Sequence, residues 1–361
     1  MNTNEAINRL LSSKVSWLEP DSSNDDIAIC SRIRLARNIA GIPFPIAADS
    51  TRRAEVRSAI EEASGNSDCL GKPEMFFKMN DISPLHRKLL LERRLISSEL
   101  SGAPDGSALV VANDESSSIM INEEDHLRIQ VLHPGLDLEQ SWLQINRIDD
   151  CLSEHLPFAW DPQLGYLTSC PTNVGTGIRA SVMLHLPGLI ISGQIEAAMH
   201  GIRTLGLAVR GIYGEGTENH GGLFQISNQS TLGESELMII ERLDTVIRQL
   251  ITHEKNARAM MLENNKFVLL NLVGRAYGKL RHSFILSIAE ALSSLSALRL
   301  GVDLKMFSSL NIRAINDLFI EVNPAHLLMT AGKPLNETEQ DIKRAEVVRE
   351  TLRKLETEAK P

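Results

Sequence analysis

The chain lacks any apolar run long enough to cross a membrane, since no stretch of its 361 residues approaches the ~18 consecutive apolar residues of a spanning helix. Its first 20 residues contain no apolar core and no small-residue cleavage site of the secretory type. We therefore expect a cytoplasmic protein with no membrane partner. The formal net charge of −9 disfavours non-specific nucleic-acid binding and suits a cationic substrate.

Cysteine is scarce and shows no spacing that is typical of a zinc site. The four cysteines are Cys30, Cys69, Cys151 and Cys170, and no two of them form a C-x-x-C pair. We therefore predict no protein-bound metal. In the reducing cytoplasm, this cysteine usage predicts free thiols rather than a disulfide framework.

What the chain does contain is a dense polar segment at residues 165–188, GYLTSCPTNVGTGIRASVMLHLPG. The segment combines the Cys170 thiol, a rigid Pro171, a turn with two glycines and the Arg179 guanidinium. This set suits an anion in contact with a nucleophile or a cation. The alternative is a buried cysteine that packs as a small apolar residue before a surface turn.

A second segment, SRIRLARN, places arginines on a predicted strand. Apolar residues alternate from Ile27 to Leu35, which predicts a β-strand, and Arg32 and Arg34 then point to one face. Two guanidinium groups side by side can bind phosphate oxygens through paired hydrogen bonds. An ordinary polar strand face is the alternative.

A third segment, NEEDHLR at residues 122–128, places three acids and a histidine at a strand end. One interpretation is a solvated turn. The other is a pocket whose carboxylates bind a cationic substrate while Arg128 faces an anion.

Hydrophobic periodicity divides the chain into a mixed α and β part and an all-helical part that begins at Glu234. Helices are predicted at 5–11, 50–66, 84–98, 137–155, 188–203, 234–262, 267–299, 311–319 and 337–357. Strands are predicted at 27–35, 108–113, 117–122, 126–132, 206–212 and 222–228. Glu215 lies between two glycines, so its loop is expected to be mobile and to close over a ligand.

These features converge on phosphoryl transfer, which requires charge neutralisation of a polyphosphate. Arginines recur at predicted strand ends, at positions 32, 34, 128, 179 and 210. No Walker A motif accompanies them, since the Gly-Lys pairs at 71–72, 278–279 and 332–333 are followed by Pro, Leu and Pro. The protein-kinase H-R-D-L signature is also absent, so a kinase of this sequence belongs to another class.

Four segments, in this order and at these spacings, resemble the ATP:guanido phosphotransferase family: SRIRLARN, NEEDHLRIQ, GYLTSCPTNVGTGIRASV and RGIYGEGTE. Within that family the chain resembles the bacterial protein-arginine kinases of the McsB type. The resemblance implies an α+β fold in which an antiparallel β-sheet flanked by helices precedes an all-helical C-terminal domain. We expect an N-terminal segment at 1–20, the catalytic domain at 21–255 and the helical domain at 256–361.

The resemblance also implies the site residues. The catalytic residues are Glu124 and Glu215, which hold the acceptor guanidinium, and Cys170 beside the reacting nitrogen. ATP binds with Mg²⁺, which bridges its phosphates. The nucleotide-binding residues are Cys30, Ser31, Arg32, Ile33, Arg34, Arg94, Arg128, Arg179, Ala180, Ser181, Val182, Met183, Arg210, Gly211, Ile212, Tyr213 and Gly214.

The expected activity is transfer of the ATP γ-phosphoryl group to arginine side chains of proteins. Members that act on free arginine or creatine carry an N-terminal helical domain, whereas only 29 residues precede Cys30 here. The family context implies roles in Clp-type proteolysis or stress-repressor regulation, a small zinc-binding activator, a Clp ATPase and a homodimer. The alternatives are a non-catalytic nucleotide-binding adaptor and a small-molecule guanidino kinase.

One segment departs from the McsB pattern. That pattern includes an R-D-x-x-R-A motif that binds phosphoarginine as an allosteric signal. The matching residues here are Gln340, Asp341, Arg344 and Ala345. Gln340 stands in place of an arginine and cannot supply its positive charge, so weaker allosteric activation is expected.

Overall fold

The computed structural model describes residues 3–19, 27–67, 69–71, 74–102, 104–211 and 221–358. The strands are β1 (Ala28–Arg37), β2 (Glu74–Lys78), β3 (Ala108–Ala112), β4 (Ser117–Ile121), β5 (Leu127–Pro134), β6 (Trp160–Asp161), β7 (Gly165–Tyr166), β8 (Ile178–His185), β9 (Leu207–Gly211) and β10 (Leu223–Asn228). The helices of the first half are α1 (Thr3–Ser12), α2 (Ser50–Ser67), α3 (Pro84–Glu92), α4 (Ser98–Ser101) and α5 (Leu138–Ser153). Those of the second half are α6 (Pro187–Ile191), α7 (Ile195–Thr204), α8 (Glu236–Asn264), α9 (Lys266–His282), α10 (Ile288–Asp303), α11 (Ile312–Glu321), α12 (Pro324–Ala331) and α13 (Glu337–Glu358).

Eight strands form one sheet in the order β2-β3-β4-β5-β1-β8-β10-β9, and β6 pairs with β7 in a small hairpin. The pairs β2/β3, β3/β4, β4/β5 and β5/β1 are antiparallel. The predicted α+β fold, an antiparallel sheet flanked by helices and followed by a helical region, is therefore confirmed. No helix in the described part of the chain is both long and apolar enough to cross a membrane.

Strand β1 shows how the alternating pattern sets the two faces of the sheet. Ile33 and Leu35 are fully buried. Arg32, which precedes Ile33, and Arg34, which lies between the two, are only half-buried. In the pairing with β5, Arg34 lies opposite Gln130. The prediction that the two arginines share one face is confirmed, because successive side chains of a strand point to opposite faces.

Three predicted helices are interrupted where local chemistry favours a turn. The helix predicted at 84–98 ends at Glu92, and Arg94 follows in the left-handed region with φ of 62°. The helix predicted at 188–203 breaks at Gly193, which has φ of 71°. The helix predicted at 267–299 divides into α9 and α10, because Ser287 and Glu290 form a capping box that begins a new helix. Helix α12, which begins at Pro324, was not predicted.

The Cα positions group into two compact units. The first comprises residues 1–17, 30–182 and 227–245, and the second comprises 18–29, 183–226 and 246–361. In the first unit, α5 packs against β5, with Ile145 and Ile129 both fully buried. In the second, α9 and α10 pack together around Leu269 and Leu300. The division predicted near residue 255 stays a prediction.

The expectation of reduced thiols is wrong for one pair of cysteines. Cys69 and Cys151 form a disulfide in the first unit, with Cα atoms 5.8 Å apart and a separation of 82 residues along the chain. Cys30 and Cys170 are free thiols. The sequence could not reveal this bond, because it depends on how close the end of α2 comes to α5 in the folded chain.

The second unit contains a buried polar network around His185. The His185 imidazole contacts Ser296 Oγ at 2.8 Å through Nε2 and accepts from Arg299 Nη1 at 2.9 Å through Nδ1. Arg299 and Arg258 both donate to Asp303 Oδ2, each at 3.2 Å. Burial lowers the pKa of His185 well below its usual range, and the positive charges of Arg299 and Arg258 add to this effect.

Acidification should therefore destabilise the protein through His185. Its folded pKa is depressed, so its stabilising contribution is complete above the unfolded pKa of ~6.5 and is lost as the pH falls below that value. The loss should reach about 1.4 kcal/mol per pH unit between pH 6.5 and pH 5. Urea unfolding across this range should show a shallower pH dependence for His185→Gln than for the wild type. Equal slopes for the two proteins would contradict the prediction.

Candidate functional site

The acidic turn at residues 122–126 connects β4 to β5 and is held rigidly by its first residue. Asn122 adopts φ of 52°, and its backbone N–H donates to His126 O at 3.0 Å to close the turn. Its Nδ2 donates to Arg53 O at 2.8 Å and to Gly106 O at 3.0 Å. Asparagine tolerates this left-handed conformation better than most residues. The turn therefore presents its carboxylates in fixed directions.

Arg128 joins the two glutamates of this turn. Its Nη1 lies 2.7 Å from Glu123 Oε2, and its Nη2 lies 2.8 Å from Glu124 Oε2. The Glu123 side chain is fully buried and also accepts from Ser97 Oγ. The Glu124 side chain is 39% exposed. Glu123 thus fixes Arg128 from within, while Glu124 presents a carboxylate that already binds a guanidinium.

A cluster of arginines lies around Arg128 in the first unit. Burial and the positive charge of Arg94 lower the pKa of Arg32 to about 10. Burial lowers the pKa of Arg34 well below its usual range, and the charge of Arg32 is the next cause. Arg128 and Arg179 lower both pKa values further. Several partly desolvated cations held together create a strong field that favours a polyanion.

Arg94 and Arg179 are each held by the protein on one side. The Arg94 guanidinium lies 5.7 Å from the centre of the Trp17 ring. The backbone carbonyl of Arg94 accepts from Gln130 Nε2 at 2.8 Å. Arg179 on β8 donates from Nη1 to Asn228 O at 2.6 Å. Nε of Arg34 and Nε of Arg94 are buried without hydrogen bonds in the described structure. Anionic oxygens would satisfy such donors.

The segment that carries Cys170 is a compact loop between β7 and β8. Cys170 is half-buried, and its Sγ lies 3.0 Å from Thr172 Oγ1. Thr231 Oγ1 contacts Thr172 O at 2.9 Å and Val174 O at 2.7 Å, which anchors the loop after the cysteine. Cys170 therefore lies in a defined environment rather than in the apolar core, and its environment disfavours the packing alternative.

Arg37, the third arginine of the SRIRLAR segment, supports this loop and lies apart from the cluster. It is 1% exposed and forms an ion pair with Asp149 on α5 at 2.8 Å. Its Nη1 donates to Thr176 O at 2.9 Å, and its guanidinium lies 3.4 Å from the centre of the Tyr166 ring. Gly177 has φ of 68°, and a Cβ there would lie 2.7 Å from Arg37 Nη1. Only glycine permits this approach.

The other residues predicted to bind nucleotide fall into three groups. Most belong to β1 and β8 and are buried: Cys30, Ser31, Ile33, Ala180, Ser181, Val182 and Met183. Ser31 Oγ donates to Gly135 O, and Ser181 Oγ donates to Arg32 O. Arg210 and Gly211 lie at the end of β9 in the second unit, where Arg210 is exposed. Ile212, Tyr213, Gly214 and the predicted catalytic Glu215 lie outside the described residues.

The motif predicted to bind phosphoarginine lies on α13 in the second unit. Arg344 is 2% exposed and donates to Val322 O and Leu286 O, both at 2.9 Å, and it is paired with Asp341. Gln340 Nε2 donates to Leu335 O at 3.0 Å. Ala345 is buried. The Arg344 donors thus bind backbone carbonyls, and allosteric binding at this motif stays a prediction.

Glu123 and Asp125 belong to the acidic turn that the sequence predicts as a carboxylate pocket, but the sequence predicts no individual role for them or for Asn38, which bonds to Asp125. The signal in the sequence was the run of three acids, which identified the turn but did not distinguish its members. Among the residues that the structure describes, no group of three or more His, Cys, Asp or Glu side chains could hold a metal ion. The chemistry available in the first unit is therefore a cationic cluster beside the partly exposed Glu124 carboxylate, with the half-buried Cys170 thiol in the same unit.

Comparisons with known proteins agree with this chemistry. The model of the ATP:guanido phosphotransferase C-terminal catalytic domain matches residues 55–257, and that of the protein-arginine kinase McsB C-terminal domain matches residues 266–361. The chain is 45% identical over 336 residues to a protein-arginine kinase of Pelotomaculum thermopropionicum, covering 92% of this chain and 94% of that protein. It is 43% identical over 344 residues to that of Moorella thermoacetica, covering 93% and 97%.

Two solved structures of kinases are similar in fold to this chain. The crystal structure of lombricine kinase matches with a TM-score of 0.56 and 26% identity, covering 68% of this chain and 71% of that one. The duplicated taurocyamine kinase of Schistosoma mansoni, with bound transition state analog components, matches with a TM-score of 0.58 and 25% identity, covering 73% and 40%. On the domain match over residues 55–257 and the identity across most of its length, the chain belongs to the ATP:guanido phosphotransferase family of enzymes.

Proposed function

We propose that this chain transfers the γ-phosphoryl group of ATP to arginine side chains of proteins. The observation that carries the proposal is the position of Arg128, which belongs to the cationic cluster and contacts Glu124 Oε2 at 2.8 Å. An anion site and a guanidinium-binding carboxylate thus adjoin. Support for a protein acceptor comes from the curated relatives, which are protein-arginine kinases, and from the match of residues 266–361.

In this proposal the arginines bind and neutralise the triphosphate. Arg32, Arg34 and Arg128 supply planar groups that match phosphate oxygens, with Arg94, Arg179 and Arg210 completing the set. Charge that spreads over the transferring phosphoryl group is stabilised by donors that are already in place. Mg²⁺, when bound with ATP, would neutralise further charge on the phosphates. Its ligands would then come mainly from the nucleotide and water.

The acceptor guanidinium is a poor nucleophile, because its pKa is above ~12 and it must lose a proton as its nitrogen attacks phosphorus. By the family resemblance, Glu124 and Glu215 would together bind the guanidinium and align the attacking nitrogen. One carboxylate would accept the departing proton. Cys170 would add a polarisable, ionisable group beside the same nitrogen, with no covalent intermediate required.

The test uses purified protein with Mg-ATP and casein as an arginine-containing acceptor. We expect acid-labile phosphate on arginine, mapped by mass spectrometry under non-acidic conditions. Glu124→Ala, assayed in parallel, should give none. Transfer to free arginine, agmatine or creatine without transfer to casein would identify a small-molecule kinase instead. ATP binding without any transfer would identify a non-catalytic adaptor.

The same proposal extends to the cellular role that the family resemblance implies. We propose a cytoplasmic homodimer that acts with a small zinc-binding activator and marks proteins for a Clp ATPase and its protease or regulates a stress repressor. This part rests on the resemblance alone. Co-purification of the tagged protein with an activator and a Clp ATPase, compared with a Glu124→Ala strain, would test it.

Replacing Cys170 by alanine should lower kcat by roughly 10²-fold, the scale of one electrostatic contact in an active site. The affinity for Mg-ATP should stay within about twofold, because the thiol lies beside the acceptor in this proposal. Cys170→Ser keeps a hydroxyl within reach of Thr172 but no ionisable thiol, so it should be as impaired as the alanine variant. Wild-type turnover in either variant would reduce Cys170 to a packing role.

A further inference from the structure

The two segments that carry Glu124 and Cys170 are joined through a single buried carboxylate. Asp125 directly follows Glu124 and is completely buried. Its Oδ1 accepts the backbone N–H of Ser169 at 2.7 Å, and Ser169 directly precedes Cys170. The separation along the chain is 44 residues. One hydrogen bond therefore ties the backbone next to the proposed acceptor carboxylate to the backbone next to the thiol.

Asn38, at the end of β1, bridges the same two segments from the other side. Its Nδ2 donates to Asp125 Oδ1 at 2.7 Å and to Leu167 O at 3.0 Å. Its Oδ1 accepts the backbone N–H of His126 at 2.9 Å. Asn38 is 1% exposed, so water competes little for these bonds. Every hydrogen-bonding atom of its side-chain amide is used between the acidic turn and the Cys170 loop.

We propose that Asp125 and Asn38 form a positioning pair that sets the Cys170 thiol relative to the Glu124 carboxylate. The pair acts through hydrogen bonds to the backbone and does not contact the substrate. The inference rests on the proposed function, because that function assigns Glu124 and Cys170 to one acceptor site. A misplacement of about 1 Å in such a site can lower turnover by 10²-fold.

The hydrogen bonds rather than the negative charge carry this role. Oδ1 alone receives both donors, whereas Oδ2 is buried with no hydrogen-bond partner in the described structure. An asparagine at 125 could keep Oδ1 as acceptor and place its amide nitrogen where Oδ2 lies. The conservative variant Asp125→Asn should therefore preserve the position of Cys170, and Asp125→Ala should not.

The first measurement follows Cys170 without any substrate. The rate of its alkylation by iodoacetamide depends on the solvent exposure of the thiol and on the groups that surround it. Selectivity for Cys170 is favourable, since Cys30 is buried with a pKa raised by burial to about 11 and the other two cysteines form a disulfide. Asp125→Ala and Asn38→Ala should each change this rate by at least about threefold, whereas Asp125→Asn and wild type should agree within twofold.

The second measurement is turnover with casein and Mg-ATP. Asp125→Ala and Asn38→Ala should lower kcat by about 10- to 100-fold, with the Kd of Mg-ATP changed less than twofold. Asp125→Asn should retain kcat within about threefold. Ser141→Ala is the control. It removes a buried hydroxyl of the first unit that donates to Asp137 O rather than to the Cys170 loop, and it should match wild type.

The outcomes separate this inference from the proposed function. An unchanged alkylation rate in both alanine variants overturns the positioning pair, even where turnover falls. If Asp125→Asn lowers kcat and changes the alkylation rate as much as Asp125→Ala does, the positioning pair is also overturned. The negative charge of Asp125, rather than its hydrogen bonds, would then be the important property. If Asp125→Ala does not fold, Asn38→Ala carries the test, since it leaves the Asp125–Ser169 bond in place. A wild type that phosphorylates no protein refutes the proposed function, while the alkylation result still decides the pair.

Discussion

Replacing Glu124 by glutamine should lower kcat for transfer to protein arginine by about 10²- to 10⁴-fold, the range for removal of a general base. The substitution keeps the shape of the side chain but removes the charge that attracts a guanidinium and accepts its proton. In the structure this carboxylate already binds a guanidinium, because Glu124 Oε2 lies 2.8 Å from Arg128 Nη2. The Glu124 side chain remains 39% exposed. A second guanidinium can therefore approach it from solvent.

The Kd of Mg-ATP should not rise by more than about twofold in Glu124→Gln. The variant releases Arg128 from one of its two carboxylates, and a less neutralised arginine binds phosphate at least as well. Glu99→Gln is the matched control, since Glu99 is an exposed acid close enough to Arg128 to feel its charge but not paired with it. It should keep turnover within about twofold. More than a tenth of wild-type kcat in Glu124→Gln would refute the role of this carboxylate.

The largest loss of stability is expected from Glu254→Ala, at about 3–5 kcal/mol in the free energy of unfolding. Glu254 on α8 is completely buried. Its carboxylate accepts the backbone N–H groups of Gly188 and Leu189 at 2.8 and 2.9 Å and the Nε of Arg258 at 2.6 Å. Removal of the carboxylate leaves two buried amides and one buried guanidinium nitrogen without an acceptor.

The neighbouring glycine shows how closely this carboxylate packs. A Cβ at Gly188 would lie 2.9 Å from Glu254 Oε1 and 3.0 Å from Arg258 Cγ. Urea unfolding followed by far-UV circular dichroism measures the effect. Glu263→Ala, an exposed glutamate on the same helix, is the control and should change stability by no more than about 0.5 kcal/mol. A Glu254→Ala variant as stable as this control would show that α8 is not held through Glu254.

Local patterns predicted much of the fold correctly. The alternation in β1 placed Arg32 and Arg34 on one face, and the acidic turn was found between the strands that became β4 and β5. Errors arose where a helical pattern continued across a turn. Apolar periodicity runs through 267–299, but α9 ends at His282 and the Ser287 capping box begins α10. Periodicity measures burial of a face and does not register a cap.

The candidate site divides in the same way. Residue types, their order and their spacing identified the family and the positively charged set. Their spacing along the strand points Arg37 to the opposite face from Arg34, but it could not distinguish a structural role for Arg37 from a further binding role. The distinction comes from Asp149, which is 112 residues away in the chain and pairs with Arg37 in the interior. Arg37 is therefore structural, because its guanidinium is occupied by Asp149, Thr176 O and the Tyr166 ring.

By itself, then, the sequence determined most of the sheet-forming segments, the helical C-terminal region, the arginines, the acidic turn and the cysteine loop, because each depends on neighbours within a few residues. It did not predict strand β2. Only the tertiary structure decided that Cys69 and Cys151 are joined, that Glu123 holds Arg128, and that Asp125 holds the backbone beside Cys170. The first and last of these contacts join positions 82 and 44 residues apart. Such contacts depend on the distance between atoms in the folded chain, which no local periodicity contains.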